Sequence, residues 1–155
     1  MKESVSYTYL LNMMLVFIVI SFCVIIATIS YTKAYRINSK IANALEIAEG
    51  YNDLSKSEIA RLIKSFGYQQ PIVNCKARKF MVTATNISGD HEKMEVTVEP
   101  LDDFSANAPG YCLYEVEDGE YIYYGITTYM LFDFPVINLL KLPVYNNTEK
   151  IYKFE

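Results

Sequence analysis

Apolar positions crowd the first thirty residues of the chain and then change rhythm. From Leu10 to Ile29 the sequence reads LLNMMLVFIVISFCVIIATI, twenty residues without a charge. A helix of that length covers about 30 Å, the thickness of a bilayer hydrocarbon core. Thirteen of the twenty are Leu, Ile, Val or Phe. Each favours insertion by about 0.3–0.6 kcal/mol, and together they outweigh the lone amide Asn12. Tyr7 and Tyr9 precede the run and Tyr31 and Tyr35 follow it, the places that interfacial rings occupy. A secretory signal has a shorter apolar region, a basic leader and a small-x-small cleavage site. Met1-Lys2-Glu3 and Ala27-Thr28-Ile29 match neither feature. The pattern predicts a retained single-pass transmembrane helix over about residues 9–30.

The rhythm then becomes helical and one-sided. Ala34, Ile37, Ile41, Leu45 and Ala48 recur at spacings of three and four, with Lys33, Arg36, Lys40, Glu46 and Glu49 mostly on other faces. No Gly or Pro precedes Gly50, which offers the left-handed position that ends helices. One rod over residues 1–50 follows, apolar all round to about residue 30 and amphipathic over 31–49. A second helix is signalled by Ser55 and Glu58 as a capping box. Its face is Ile59, Leu62, Ile63 and Phe66, and Gly67 stops it.

Alternation takes over afterwards. Arg78–Ile87 and Glu92–Glu99 flank a turn at Ser88-Gly89-Asp90. Tyr111–Glu117 and Glu120–Leu131 flank Asp118-Gly119, a hairpin turn in which both central residues tolerate positive φ. The Pro-bounded stretch Phe134–Pro143 reads as a short helix or apolar loop, because Pro is misplaced in a central strand. Residues 100–110 read as loop and Glu149–Phe154 as a last strand. The predicted class is α+β: a transmembrane helix with an amphipathic continuation, a short second helix, and an antiparallel meander. Residues 51–155 form the head domain.

Composition narrows the function. The net charge of −4 argues against a nucleic-acid partner, which needs a basic footprint. Charge is uneven: residues 33–98 carry +3 and residues 99–155 carry −7. With one histidine, His91, beside a predicted turn, no Ser/His/Asp or Cys/His system and no zinc spacing can be assembled. Phosphate-binding glycine motifs are absent. Asp102-Asp103 and Glu115, Glu117 and Asp118 fall in loops and turns, where carboxylates are normally hydrated. The reading is a non-enzymatic protein without a cofactor or metal, whose first partner is membrane lipid. Tyrosines gather on the second hairpin, where Tyr121, Tyr123 and Tyr129 share one face by alternation. They serve either a lateral protein contact or ordinary half-buried strand positions.

Orientation is contested within the sequence. Lys33, Arg36 and Lys40 after the span, against Lys2 before it, place the head in the cytoplasm by the positive-inside rule. Cys75 and Cys112 are a lone pair in the head. In an oxidising compartment they form a disulfide, and in a reducing one they are two separate thiols.

An acidic residue ahead of an apolar N-terminal helix, an amphipathic continuation and an antiparallel sheet together resemble the pilin and pseudopilin plan. The stretch Gly125-Ile-Thr-Thr-Tyr129-Met-Leu-Phe-Asp-Phe134-Pro135-Val-Ile, followed by Leu142-Pro143-Val144 and the strand ending Ile151-Tyr152, resembles the TadE-like minor pseudopilins of tight-adherence pilus systems. The resemblance implies a structural subunit of a bacterial pilus or secretion-type filament, with other pilin-like subunits and assembly machinery as partners. It implies a cytoplasmic N-terminus and an extracytoplasmic head, in agreement with a Cys75–Cys112 bridge. It also gives Glu3 an assembly role, its carboxylate pairing with a neighbouring subunit's N-terminal amine. Glu3 precedes the apolar run instead of lying within it, and no leader ending in Gly stands before it. Complementing the helix dipole is its other reading. The alternative function is an anchored ectodomain that binds a ligand through the tyrosine-rich hairpin.

Overall fold

With no Gly or Pro to break it, the N-terminal segment forms one helix, α1 (Lys2–Ile47), of 46 residues. The computed structural model describes residues 2–68, 72–85, 91–104, 108–134 and 137–153. From Tyr7 to Ile29 no residue of α1 is buried, and its large apolar side chains are exposed. Three hydroxyls in or beside this half are spent on its own backbone: Ser21, Thr28 and Thr32 each donate to the carbonyl four residues earlier, at 2.8–2.9 Å.

The second half of α1 is buried along one stripe. Ala34, Ile37, Ile41 and Leu45 lie inside as the spacing predicts, and Asn38, Ala42 and Ala44 join them. The helix end differs in detail from expectation. Glu49 takes the left-handed position (φ 53°) and Gly50 the next one (φ 136°). The Glu49 and Gly50 amides close onto the Glu46 and Leu45 carbonyls at 3.2 and 2.9 Å. Gly50 is needed one residue later than the helix stop itself, where a Cβ would also approach the Tyr124 hydroxyl at 3.2 Å.

The second helix, α2 (Asp53–Ser65), starts three residues before the predicted point. Its N-cap is Asn52, and Ser55 is the third helical residue, not the cap. Asn52 Oδ1 accepts from the Ser55 amide at 3.0 Å, and Ser55 Oγ accepts from the Asn52 amide at 2.9 Å. Ser55 thus plays the part expected of Glu58. Glu58 is turned outward to Arg61. Ile59 and Ile63 are buried, Leu62 is partly covered, and Phe66 remains exposed.

Every strand pairing is antiparallel. β1 (Ile72–Val73) pairs with β4 (Ala108–Pro109), and β2 (Arg78–Thr85) pairs with β3 (His91–Val98). The predicted turn at 88–90 lies outside the described residues. The main sheet has the order β5 (Tyr111–Asp118), β6 (Tyr121–Phe134), β7 (Ile137–Asn147), and β8 (Ile151–Tyr152) pairs with the start of β6. The β5–β6 turn is Gly119-Glu120, one residue later than predicted, since Asp118 still pairs with Tyr121. Within the supposed loop at 100–110 lie a single 3₁₀ turn (Asp102–Phe104) and β4.

One expectation is overturned outright. The stretch 134–143 is neither helix nor loop: residues 137–143 belong to β7, with Pro143 opposite Tyr129 (Pro135 and Val136 lie outside the described residues). Pro143 is tolerated because β7 is an edge strand, whose outward side needs no amide donor.

The core forms where α1 crosses β6 and β7. Ile37, Ile41 and Leu45 meet Ile59 and Ile63 from α2 and Leu113, Val116 and Ile126 from the sheet. Residues 34–45 are therefore part of the head's interior, and the rod and head share one core. β2 lies over the sheet, where Gly125 makes room for Phe80. A Cβ on Gly125 would stand 2.4 Å from the Phe80 ring carbons. Gly125→Ala should destabilise the full-length protein by about 1–3 kcal/mol, the usual range for overpacking. Urea unfolding in detergent measures this, and Phe80→Leu in the same chain should recover part of the loss.

Candidate functional site

Three features of the structure are candidates for function: the exposed rod, the bridge that ties β2 to the sheet, and a cleft beside β2. The rod is one helix long and apolar enough to cross a membrane, with mean hydropathy 2.9 in its most apolar window and none of that window buried. A helix belonging to a soluble core would be covered. Tyr31 and Tyr35 stack beyond the apolar run at a centroid distance of 6.2 Å. Lys33 Nζ donates to the Gly67 carbonyl at 3.0 Å, tying the rod to the end of α2. Glu3 lies in the first turns of α1, and its side chain is outside the described part.

Cys75 and Cys112 form a disulfide, with Cα atoms 5.7 Å apart. It joins the segment leading into β2 to the start of β5, so the smaller sheet is bound covalently to the larger. Cys23, the remaining cysteine, is a free thiol within the apolar run.

The three tyrosines expected to share a contact face are used differently. Tyr123 is buried and its hydroxyl donates to the Met81 carbonyl at 3.3 Å. Tyr129 is half-buried against the core, its hydroxyl 3.7 Å from Cys112 Sγ. Tyr121 is 42% exposed and meets Tyr152 edge to face at 5.7 Å. Of the three, Tyr121 offers the most area to another molecule. The buried ones act as tethers, a use shared by others. Tyr114 donates to the Lys76 carbonyl at 2.7 Å. Tyr68 donates to the Tyr129 carbonyl at 2.6 Å and accepts from the Tyr129 amide at 3.0 Å. Burial holds the Tyr114 hydroxyl protonated, its pKa pushed up to about 12.

The cleft, about 530 Å³, lies between β2 and the residues that follow β7. At one end the Arg78 guanidinium is sandwiched between the rings of Phe80 (4.6 Å) and Tyr145 (4.3 Å). Burial pulls the Arg78 pKa below its ordinary value. At the other end stands Asp118, which sequence reasoning placed in solvent. It is 7% exposed, and Oδ1 accepts the Thr83 amide at 2.7 Å while Oδ2 pairs with Lys150 at 2.5 Å. No local signal marks Asp118, because Thr83 and Lys150 are far away in sequence. Among the described residues no group of three or more His, Cys, Asp or Glu is placed to hold a metal ion.

No protein-family model, curated protein or solved structure matches this chain.

The Lys150 hydrogen bond, more than the opposing burial, holds the Asp118 carboxyl below the usual carboxylate range, and the Thr83 amide adds to this. A depressed folded pKa stabilises the protein above the unfolded value of about 3.9, and that contribution disappears as pH falls through the folded value. Asp118→Asn should therefore lower stability at pH 7 by about 1–3 kcal/mol. It should also flatten the acid limb of a stability-against-pH profile, as thermal unfolding measured from neutral into acid solution would record.

Proposed function

We propose that this chain is a membrane-anchored, pseudopilin-like structural subunit that contributes to a pilus or secretion-type filament on a bacterial surface. Its head lies on the extracytoplasmic side. The observation that carries the reading is the continuity of α1. One helix is bare and apolar where lipid would surround it, and is embedded in the head where Ile37, Ile41 and Leu45 enter the core. The head therefore has a fixed attitude to the rod, which a repeating assembly requires. An ectodomain that searches for a ligand gains from a flexible tether, and none separates span from head here. The same helix that crosses lipid can then pack against helices of neighbouring subunits, which present similar apolar surfaces.

The Cys75–Cys112 disulfide supports the extracytoplasmic placement, since such bonds persist in oxidising compartments. It outweighs the basic residues after the span. Lys33 is already engaged by the Gly67 carbonyl.

Glu3→Gln should leave the subunit stable and membrane-inserted but unassembled, and deletion of the gene should abolish or alter surface filaments seen by electron microscopy. Unchanged filaments in the deletion strain would falsify the reading. In intact cells both head cysteines should resist a maleimide reagent until reductant is added. Replacing both by Ser should lower stability by roughly 3–4 kcal/mol, from a closed loop of this length.

A further inference from the structure

The cleft beside β2 is bordered by six consecutive residues of that strand, Arg78 to Thr83. Neighbouring side chains of a strand point to opposite faces, so it is the strand's edge that lines the cavity with all six. One edge of β2 is taken by β3. The other looks into the cleft, and its hydrogen bonds identify it. The Thr83 amide donates to Asp118 Oδ1 at 2.7 Å, and the Met81 carbonyl accepts from the Tyr123 hydroxyl at 3.3 Å. In an antiparallel pair a residue directs its N–H and C=O to the same side, and alternate residues share that side. Lys79, Met81 and Thr83 therefore turn their backbone groups into the cleft. Among the described residues nothing there accepts a hydrogen bond from the Lys79 or Met81 amide.

The floor of the cleft is the face of the main sheet opposite α1. Arg78 reaches Thr127 (3.5 Å), Phe80 stands over Gly125 and Met81 meets Tyr123, so β2 runs along β6 in the opposite sense. Thr128, one position on from Thr127, bonds to α1 from the other face. β2 and β3 both approach β5, so the free edge of β2 looks out over β6 and β7. Tyr145 of β7 is 56% exposed there, beside the Arg78 guanidinium. The second layer thus covers one half of the sheet and stops. The cleft of about 530 Å³ follows β2 for about 17 Å, a channel of about 30 Å² in section, which accommodates an extended main chain.

We propose that the free edge of β2 takes up an extended, acidic segment of a partner protein as an added strand. Backbone pairing supplies the attachment, through the Lys79 and Met81 amides and the Thr83 carbonyl, and every second side chain of the segment rests on the sheet face beside Tyr145. The charge of the cleft selects the chemistry. Arg78, Lys79, Lys93 and Lys150 border it, against Asp118 as its one carboxylate, in a chain whose net charge is −4. Lys150 is paired with Asp118 and Lys79 with Glu95. Arg78 and Lys93 have no carboxylate partner among the described residues. Lysines on an exposed edge deter pairing with apolar strands, and the same charges favour a segment that carries carboxylates.

This inference concerns the head and rests neither on the span nor on filament assembly. Full-length, isotope-labelled protein in lipid nanodiscs is titrated to millimolar concentration with acetyl-Thr-Glu-Val-Glu-Val-Glu-Thr-amide, and amide exchange is followed by NMR. In the protein alone the Lys79 and Met81 amides should exchange freely. At nine-tenths occupancy by the peptide their exchange should slow about tenfold. The same peptide N-methylated at every Glu and Val, and a counterpart with Lys in place of Glu, should leave both rates unchanged. Met81→Pro removes one outward amide and spares the ladder to β3, so it should weaken peptide binding by about tenfold, with resistance of the head disulfide to alkylation reporting its fold. Should that variant misfold, the N-methylated peptide makes the same test from the other side. Amides already protected in the protein alone show a closed edge and overturn the inference. Absence of slowed exchange with the acidic peptide overturns it as well, as does equal slowing by either control peptide. Shifts at Arg78 and Lys93 that inorganic phosphate reproduces, without slowed exchange, assign the cleft to simple anions and overturn it too. Protection that rises with protein density before any peptide is added assigns the edge to a second copy, which also overturns it.

Discussion

The coupling of α1 to the main sheet is the interaction on which the rest of this structure depends. Ile37, Ile41 and Leu45 are among the most deeply buried side chains, and all three project from a helix whose other half is bare. Burial of an aliphatic side chain stabilises by about 1.5–3 kcal/mol, so this stripe is the strongest attachment between rod and head. Two polar links fix its position within the stripe. Asn38 donates to the Val144 carbonyl at 2.9 Å, and Thr128 donates to the Ala34 carbonyl at 3.1 Å. Any torque on the head is therefore transmitted to the helix, and any tilt of the helix sets the attitude of the head.

The smaller sheet is held by a different means. Among the described residues β2 and β3 pair only with each other, and no ladder of backbone hydrogen bonds joins them to the main sheet. The connection is made instead by side chains reaching across. Tyr114, Tyr123 and Asp118 satisfy backbone groups of Lys76, Met81 and Thr83 along β2 and its approach. The disulfide closes the same junction at Cys75. A ring long enough to cross from one sheet to the next, with a hydroxyl at its tip, does what a strand pairing would otherwise do. Tyr114 and Tyr123 are used in this way.

Legibility in the sequence follows from the range of the forces involved. The rod was readable as a helix because twenty uncharged residues and a stripe at spacings of three and four are local patterns, and the sheet reinforces the second. The hairpin strands were readable from alternation, and the turn was misplaced by one residue because Asp118 is drawn into the ladder by partners distant in sequence. The α2 cap was misassigned between two adequate candidates, Asn52 and Ser55, which the structure uses together. β7 was missed because Pro143 argues against a strand, and only the three-dimensional position of an edge removes that objection. Similarly, alternation placed Tyr121, Tyr123 and Tyr129 on one face. It could not show that β2 covers Tyr123, since the covering strand belongs to another sheet.

Asn38 shows how the coupling is made specific as well as strong. It is fully buried in an otherwise apolar stripe, and its Oδ1 has no hydrogen-bond partner among the described residues. An unsatisfied buried acceptor costs about 1–3 kcal/mol, so an apolar residue of the same shape would hold the helix to the sheet at least as tightly. What it would lose is selection of register. A slide of α1 by one turn, about 5.4 Å, leaves an aliphatic stripe nearly as well packed, because the stripe repeats. The same slide moves Asn38 away from the Val144 carbonyl and Ala34 away from Thr128, leaving further polar groups buried without partners. The penalty falls on the wrong registers and spares the right one. In a protein whose head is carried on one continuous helix, a fixed register sets where the head stands along the rod, which matters more than the last increment of stability.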